Sequence, residues 1–244
     1  ISNSTDIKNL NHFDPESLDY VYKAVNNIKS SLPEEIPLIG FCGSPWTLAA
    51  YSIEGRSSKD FEKTLGFLES NQKDVHDLLT KYTDACFLYL RKQVQSGADV
   101  IQIFDSWANL LIKEDLIEFS FNYINSLISA LKLDPVTKTI PVIIFARNPK
   151  CNIEELINTS ADCISLFWSM NDLNFEVAKN KVAIQGNLDP KILLESDETI
   201  KRETYKILER FKEYPGYIFN LGHGITPDIS PDKIKYLTNI VREY

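Results

Sequence analysis

Three apolar runs in this chain each end in a group of small, aromatic or ionisable residues. They lie within residues 37–46, 100–107 and 217–224, and stretches with helical periodicity separate them. Buried strands that alternate with helices predict a parallel α/β fold. In an α/β barrel the side chains at the C-terminal strand ends carry the chemistry, so the last residues of each run are candidate functional positions.

The apolar patterns predict six strands, over residues 37–42, 99–104, 140–145, 162–167, 181–185 and 217–220. Predicted helices cover 14–32, 57–96, 113–132 and 197–211, with a short one from Asn152 and a last one from Ser230. A closed barrel of this type needs eight parallel strands. Six strands predict an open sheet, or a TIM (β/α)8-type barrel without its first two βα units and with two open strand edges. No low-complexity linker divides residues 1–244, which predicts one incomplete barrel domain.

Composition excludes several classes of partner. The formal net charge is −8, whereas nucleic-acid binding needs a basic face. The sequence contains no apolar run that could span a bilayer and no signal-peptide pattern near Ile1, so we expect no membrane association and a cytoplasmic protein. Because the first residue is not Met, we also expect a part of a longer polypeptide.

The four cysteines, Cys42, Cys86, Cys151 and Cys163, show no CxxC or HxC spacing. Without a secretion signal, thiols are favoured over a disulfide or a metal role. The sequence also shows no evident acid/base pair of carboxylates, no phosphate-binding glycine loop and no metal triad. It therefore predicts no metal site.

Polar residues at three strand ends are candidates for function. Tyr51 is either a donor to a substrate carboxylate or a core tyrosine whose hydroxyl bonds to backbone. Ser106 is a candidate donor to an anionic substrate, and the preceding Asp105 is an acid, a base or the cap of the next helix. His223 lies between two glycines, which let a ligand approach closely, and histidine is the residue type best suited to change charge near neutral pH.

Three other polar positions favour a structural interpretation. Asp189 is followed by Pro190 after a predicted strand, a pattern typical of a helix N-cap and the first helical position. His12 and His76 lie on predicted surface segments. We expect none of the three to act on a substrate.

Taken together, the motifs resemble the uroporphyrinogen decarboxylase family. The matching stretches are Gly40-Phe-Cys-Gly-Ser-Pro-Trp-Thr-Leu, Tyr51-Ser-Ile-Glu-Gly, Gly97-Ala-Asp-Val-Ile-Gln-Ile-Phe-Asp-Ser-Trp-Ala, Gln185-Gly-Asn-Leu-Asp-Pro and Phe219-Asn-Leu-Gly-His-Gly-Ile. The resemblance covers the whole chain in register. It implies a TIM barrel, usually a homodimer, that removes the four acetate carboxylates of uroporphyrinogen III to give coproporphyrinogen III in haem biosynthesis without a cofactor.

The resemblance also implies roles for individual residues. Tyr51, Ser106 and His223 match polar contacts to the carboxylates of the tetrapyrrole substrate. Phe41 and Phe104 match apolar walls around it. Because parallel strands deliver their ends to one face, we expect the three polar side chains to point into one cavity at the barrel mouth.

Two motifs of that family have no counterpart in this sequence. One is an arginine-rich Arg-Gln-Ala-Gly-Arg-Tyr segment, and the other is a strand-end Asp in a Phe-Ser-Asp context that holds the pyrrole NH groups. The resemblance therefore implies no catalytic residue in this chain and an inactive chain when it stands alone. Smaller departures are Phe167 in place of an Asp, Asn109 in place of a Gly, and Arg147-Asn148 in place of Lys-Gly.

Two alternatives remain open from the sequence. A corrinoid methyltransferase of the same superfamily would bind zinc through a His-x-Cys pair and a later Cys, but Ile225 follows His223 by two and no cysteine follows Cys163. The other alternative is a truncated or degenerate fragment that binds tetrapyrrole without catalysis.

Overall fold

The computed structural model describes residues 1–58, 60–171 and 174–244. These residues form two compact units, Ile1–Asp162 and Cys163–Tyr244. The single domain expected from the missing linker stays a prediction. Each unit is built from parallel strands that alternate with helices, as the apolar patterns indicate.

The first unit contains three parallel strands in sequential order. They are β1 (Ile39–Gly43), β2 (Val100–Asp105) and β3 (Val142–Ala146). Ile39 pairs with Val100, and Ile101 pairs with Val142. All five residues of β3 are buried, as expected for a parallel strand covered on both faces.

Eight α-helices in the described part of the first unit surround these strands: α1 (Ser4–Lys8), α2 (Asp19–Ser31), α3 (Pro45–Glu54), α4 (Glu62–Ser70), α5 (Gln72–Gln95), α6 (Lys113–Leu116), α7 (Asn122–Leu133) and α8 (Ile153–Ile157). Several begin where a side chain accepts from the first-turn amides. Ser44 accepts from the amide of Thr47 at the start of α3, and Asn152 forms a capping box with Glu155 at the start of α8. The helix predicted from Asp14 begins as a 3-10 turn, Pro15–Leu18, that leads into α2.

Two predicted helices are interrupted. The region 57–96 contains α4 and α5 rather than one helix, because Asn71 leaves helical geometry (φ −140°, ψ 42°) and ends one helix as it begins the other. The region 113–132 is helical throughout, but a π-helical turn at Ile117–Phe121 joins α6 to α7. Hydrophobic spacing alone does not distinguish an α-turn from a π-turn.

The outer edge of β1 is covered by a side chain from α5. The backbone NH of Phe41 donates to Oε1 of Gln93 at 3.0 Å, and Nε2 of Gln93 donates to the carbonyl of Phe41 at 2.9 Å. Gly40 permits this approach, because an added Cβ there would lie 2.8 Å from Oε1 of Gln93. At this strand edge, which was expected to be open, the backbone NH and carbonyl of Phe41 therefore both have a hydrogen-bond partner.

The second unit contains shorter strands. They are β4 (Cys163–Ser165), β5 (Ala183–Gln185) and β6 (Tyr217–Ile218), and both the β4–β5 and the β5–β6 pairings are parallel. The predicted strands 162–167 and 217–220 extend past these ends into the loops. Helices α9 (Asp197–Phe211) and α10 (Pro231–Glu243) pack through a cluster that contains Leu193, Ile200 and Leu237.

None of the helices in the described residues combines the length and the apolar character needed to cross a bilayer.

Candidate active site

The end of β2 is organised by a buried carboxylate. Asp105 is 1% exposed and accepts hydrogen bonds from three hydroxyl groups. Ser44 and Thr47, from the start of α3, donate to Oδ1 at 3.0 and 3.1 Å, and Ser120, from the π-helical turn, donates to Oδ2 at 2.5 Å. The start of α3 and the π-helical turn thus converge on one side chain of β2, so that Asp105 joins three segments.

The hydrogen-bond pattern fixes the direction of two of these bonds. The hydroxyl of Ser44 accepts from the amide of Thr47 at 3.0 Å, and the hydroxyl of Thr47 accepts from the amide of Ser106 at 3.0 Å. Each hydroxyl has a single proton, so both protons point at Oδ1 of Asp105. Burial raises the pKa of Asp105, and the hydrogen bonds from Ser120, Ser44 and Thr47 oppose that rise.

This arrangement bears on the roles considered for Asp105. The following 3-10 turn, Ala108–Leu110, has Trp107 at its N-cap position, so Asp105 does not cap it. The carboxylate is 1% exposed and acts as an acceptor within the protein, and its role as an acid or base stays a prediction. Through Thr47, it holds the backbone of Ser106, whose side chain is half-buried.

Tyr51 lies in an aromatic group beside this network. It is 39% exposed on α3, and its ring packs edge-to-face against Trp107, with centroids 5.8 Å apart, and against Phe61 at 6.0 Å. The guanidinium of Arg147 lies over the Trp107 ring at 5.4 Å. Tyr51 is therefore not a fully buried core tyrosine, and a cation lies on the same aromatic group.

Arg147 was not among the site residues predicted from the sequence. Its backbone NH donates to the carbonyl of Asp105 at 3.0 Å, which ties the exit of β3 to the exit of β2. Its position directly after an apolar strand could have identified Arg147, because the other candidates were chosen for the same kind of position. Against the family motif, Arg147-Asn148 stands out only as a departure from Lys-Gly.

The structure brings the two predicted wall residues together. Phe41 and Phe104 pack edge-to-face, with centroids 5.8 Å apart and planes at 89°. Phe104 in turn contacts Phe145 of β3 at 5.9 Å. Phe41 is 59% exposed, so the row presents aromatic surface at its β1 end.

In the second unit, His223 lies on an exposed turn after β6. Its Nδ1 is 3.4 Å from the carbonyl of Gly224, and its ring meets Phe167 edge-to-face at 5.9 Å. The two flanking glycines differ. A Cβ on Gly222 would overlap the backbone of Trp168, whereas one on Gly224 would meet nothing within 4 Å.

Comparison with known proteins identifies the family. The family model described as uroporphyrinogen decarboxylase matches residues 1–244. The chain belongs to the uroporphyrinogen decarboxylase family. Similar proteins described by that name include those of Magnetococcus marinus, 42% identical over 98% of this chain and 68% of the relative, and of Aquifex aeolicus, 39% identical over 100% and 71%.

The chain spans about two thirds of the length of the curated relatives it matches. For the relative from Ruthia magnifica, which is 42% identical over 93% of this chain, the matched part is 66% of that protein. The family assignment therefore rests on the whole of this chain and on part of each relative.

Solved structures support the fold. A methyltransferase from Methanosarcina mazei superposes with a TM-score of 0.71 at 20% identity, over 91% of this chain and 63% of that one. A B12-independent methionine synthase from Shewanella superposes with a TM-score of 0.61 at 15% identity, over 91% and 66%. These likenesses concern the fold alone, and they confirm the predicted α/β class of the TIM-barrel type.

Set against the family assignment, the remaining predictions have mixed outcomes. Asp189 accepts from the amide of Lys191 at 3.0 Å at the start of a 3-10 turn, which confirms its capping role. His76 contacts Tyr123 at 2.7 Å and Glu118 at 3.1 Å, as expected for a structural residue, although it is half-buried. The convergence of His223 with Tyr51 and Ser106 stays a prediction.

The four cysteines are thiols in the structure, as the spacing predicts. Across the described residues, no group of three or more His, Cys, Asp and Glu side chains has a geometry suited to a metal ion.

Proposed function

We propose that this chain carries the carboxylate-binding part of a uroporphyrinogen decarboxylase. The reaction is the removal of the four acetate carboxylates of uroporphyrinogen III to give coproporphyrinogen III, without a cofactor. The observation that carries the proposal is the family match over every residue from 1 to 244. A cytoplasmic homodimer is part of the same proposal.

The geometry at the exit of β2 supports a role in binding carboxylates. Ser106 has a backbone amide held through Thr47 and Asp105, so the residue is positioned at the exit of β2 before substrate arrives. Tyr51 offers a second hydroxyl at an exposed position, and Arg147 offers a positive charge beside Trp107. A polyanionic substrate needs such local cations on a chain with net charge −8.

His223 is proposed as a further donor to a substrate carboxylate. Its exposed position on a glycine turn leaves the imidazole accessible. When protonated, it would form a charge-assisted hydrogen bond, of about 1.5–3 kcal/mol. Phe41 and Phe104 are proposed as the apolar surface against which the pyrrole rings pack.

Decarboxylation makes a further demand on the site. Protonation of the pyrrole creates a positive charge that must be stabilised by a preorganised acceptor, until the electron pair released with carbon dioxide neutralises it. The strand-end Asp to which the resemblance assigns this role has no counterpart in the sequence. Asp105 does not replace it, because its oxygens are occupied by Ser44, Thr47 and Ser120 within the protein. We therefore propose that the 244-residue chain binds tetrapyrrole but does not decarboxylate it.

Two measurements on the purified chain test this. Uroporphyrin III binding is followed by fluorescence, with an Arg147→Ala variant and the surface variant Lys138→Ala as its control. Anaerobic incubation with uroporphyrinogen III is followed by porphyrin chromatography. Saturable binding that Arg147→Ala weakens, without products of lower carboxylate number, is the expected result. Absence of binding to the folded chain would overturn the binding proposal, and seven- to four-carboxylate products would overturn the inactivity.

A further inference from the structure

Two cysteines of the first unit line one cavity, which Phe41 also borders. Cys42 lies in β1 and is 6% exposed, and Cys86 lies in α5 and is 2% exposed. Both border a cavity with a volume of about 350 Å³. Neither thiol has a role in the proposed decarboxylase site.

The packing of α5 on β1 places both cysteines on the wall of the same cavity. Gly40 and Cys42 are the buried positions of β1, and Gly40 already contacts Gln93 of α5. Cys86 lies seven residues before Gln93, two helical turns along the same face. Its Sγ donates to the carbonyl of Gly43 at 3.5 Å, next to Cys42 in the chain. The neighbouring thiol of Cys86 and burial both raise the pKa of Cys42.

The walls of the cavity are largely apolar. Phe13, Leu18, Leu48 and two tyrosines, Tyr82 and Tyr89, contribute most of them. A ligand that bridges the sulfurs must therefore be neutral once bound, since burying an uncompensated charge there is strongly unfavourable. It must also need only two protein ligands, because the described residues offer no third His, Cys, Asp or Glu beside the pair.

We propose that Cys42 and Cys86 form a binding site for trivalent arsenicals that carry one organic group. An aryl or alkyl arsenic(III) centre accepts two sulfurs and keeps its carbon substituent, and the product is neutral. Zinc would need four ligands in a structural site, so it does not fit this pair. The apolar walls receive the organic group, and the two thiols hold the arsenic.

The bond changes balance without an oxidant. Two arsenic–sulfur bonds form, and the arsenic–oxygen bonding of the organic arsenoxide is lost. The oxygen leaves as one water molecule that takes both thiol protons. Arsenic stays in the trivalent state, and both sulfurs stay at the oxidation level of a thiol. A raised pKa of Cys42 keeps that thiol protonated, and its proton is released in the water formed.

Phenylarsine oxide is the probe for this site. The folded 244-residue chain is titrated with it, remaining thiols are alkylated with iodoacetamide after denaturation, and the modified cysteines are identified by peptide mass spectrometry. We expect one equivalent per chain and protection of Cys42 and Cys86 together. Because the second sulfur binds intramolecularly, Cys42→Ser and Cys86→Ser should each weaken binding by about 10²-fold or more.

The matched control is Cys151→Ser, since Cys151 is half-exposed and does not line this cavity. It should leave the stoichiometry and affinity unchanged. Retention of tight binding in either Cys42→Ser or Cys86→Ser, or protection of Cys151 instead, would overturn the site. If a serine variant fails to fold by circular dichroism, Cys42→Ala and Cys86→Ala replace it. Absence of binding to the folded wild-type chain also overturns the proposal.

Discussion

The exit of β2 in the first unit and the exit of β6 in the second hold their polar residues in different ways. Asp105 is 1% exposed and accepts hydrogen bonds from three hydroxyls that belong to two segments, the start of α3 and the π-helical turn. His223 is exposed on a turn between two glycines. Asp105 is part of the folded core. His223 is exposed to solvent, and its side chain contributes little to the free energy of unfolding. A polar residue at a strand end is therefore evidence for a site only when its burial is known.

The largest expected effect is at Asp105. Replacement by Ala leaves the hydroxyls of Ser44 and Thr47 without their acceptor in a buried place, and we expect a loss of about 3 kcal/mol in the free energy of unfolding. Asp105→Asn keeps Oδ1 for both hydroxyls, and its amide can donate to Ser120. We expect that variant to lose about 1 kcal/mol. Urea unfolding followed by circular dichroism measures both.

Equal losses for Asp105→Ala and Asp105→Asn would contradict the hydroxyl pattern. That result would mean that the charge of Asp105, rather than its acceptor geometry, holds the three segments together. A measured loss below about 0.5 kcal/mol for Asp105→Ala would remove the contrast with His223 altogether.

The next effect distinguishes the two glycines around His223. In Gly222→Ala the new methyl group overlaps the backbone of Trp168, so we expect a loss of about 1–3 kcal/mol in the free energy of unfolding. Gly224→Ala has open space and serves as the control, with an expected change within about 0.5 kcal/mol. Thermal or urea unfolding of the two variants gives the comparison. Similar stabilities would show that the turn at Gly222 relaxes.

A smaller stability change is expected at His223 itself. His223→Asn should change the free energy of unfolding by less than about 0.5 kcal/mol, because the side chain is exposed. Under the proposed function, it should weaken uroporphyrin binding by about tenfold, the loss of one charge-assisted hydrogen bond. Fluorescence titration and urea unfolding on the same sample separate the two effects. Loss of stability in step with binding would assign His223 to the fold.

The smallest expected effect is the difference in pH dependence between the two acids at the ends of β2, Asp99 before the strand and Asp105 as its last residue. The amide of Leu38 and the ammonium of Lys29 lower the pKa of Asp99, so its contribution to stability is present above the unfolded-state pKa and is lost as pH falls through the folded-state value. The pKa of Asp105 is raised, so its contribution has the opposite sign and is lost as pH rises through the folded-state value.

Urea midpoints of wild-type protein, Asp99→Asn and Asp105→Asn from pH 3 to pH 8 test these signs. The stability difference between wild type and Asp99→Asn should shrink toward acid pH. The difference for Asp105→Asn should instead be larger there than at neutral pH. Parallel curves for the two variants would contradict the opposite pKa shifts.

Much of the fold follows from local chemistry that a sequence displays. The apolar run that forms β3 and the cap at Asn152 mark elements that the structure contains at those places. The family motifs likewise identify the strand exits. Long-range contacts are not displayed in this way. The burial of Asp105 depends on Ser120, which a π-turn delivers from 15 residues away.

The same limit explains the other differences. Gly222 and Gly224 are equivalent in the sequence, and only the position of Trp168 makes one of them necessary. Arg147 becomes a candidate binding residue because its guanidinium lies over the ring of Trp107, which is distant in the chain but adjacent in space. In each case the deciding contact is between residues that the fold, not the local pattern, brings together.

The side-chain amide of Gln93 has a consequence for how this protein meets other chains. A carboxamide carries the same donor and acceptor as a peptide bond, so Gln93 occupies the place at Phe41 that an added strand would take. An incoming strand would have to displace it and would gain no hydrogen bond at that residue by doing so. The side chain of Gln93 thus opposes strand addition at the edge of β1, because it already makes the hydrogen bonds at Phe41 that an added strand would make.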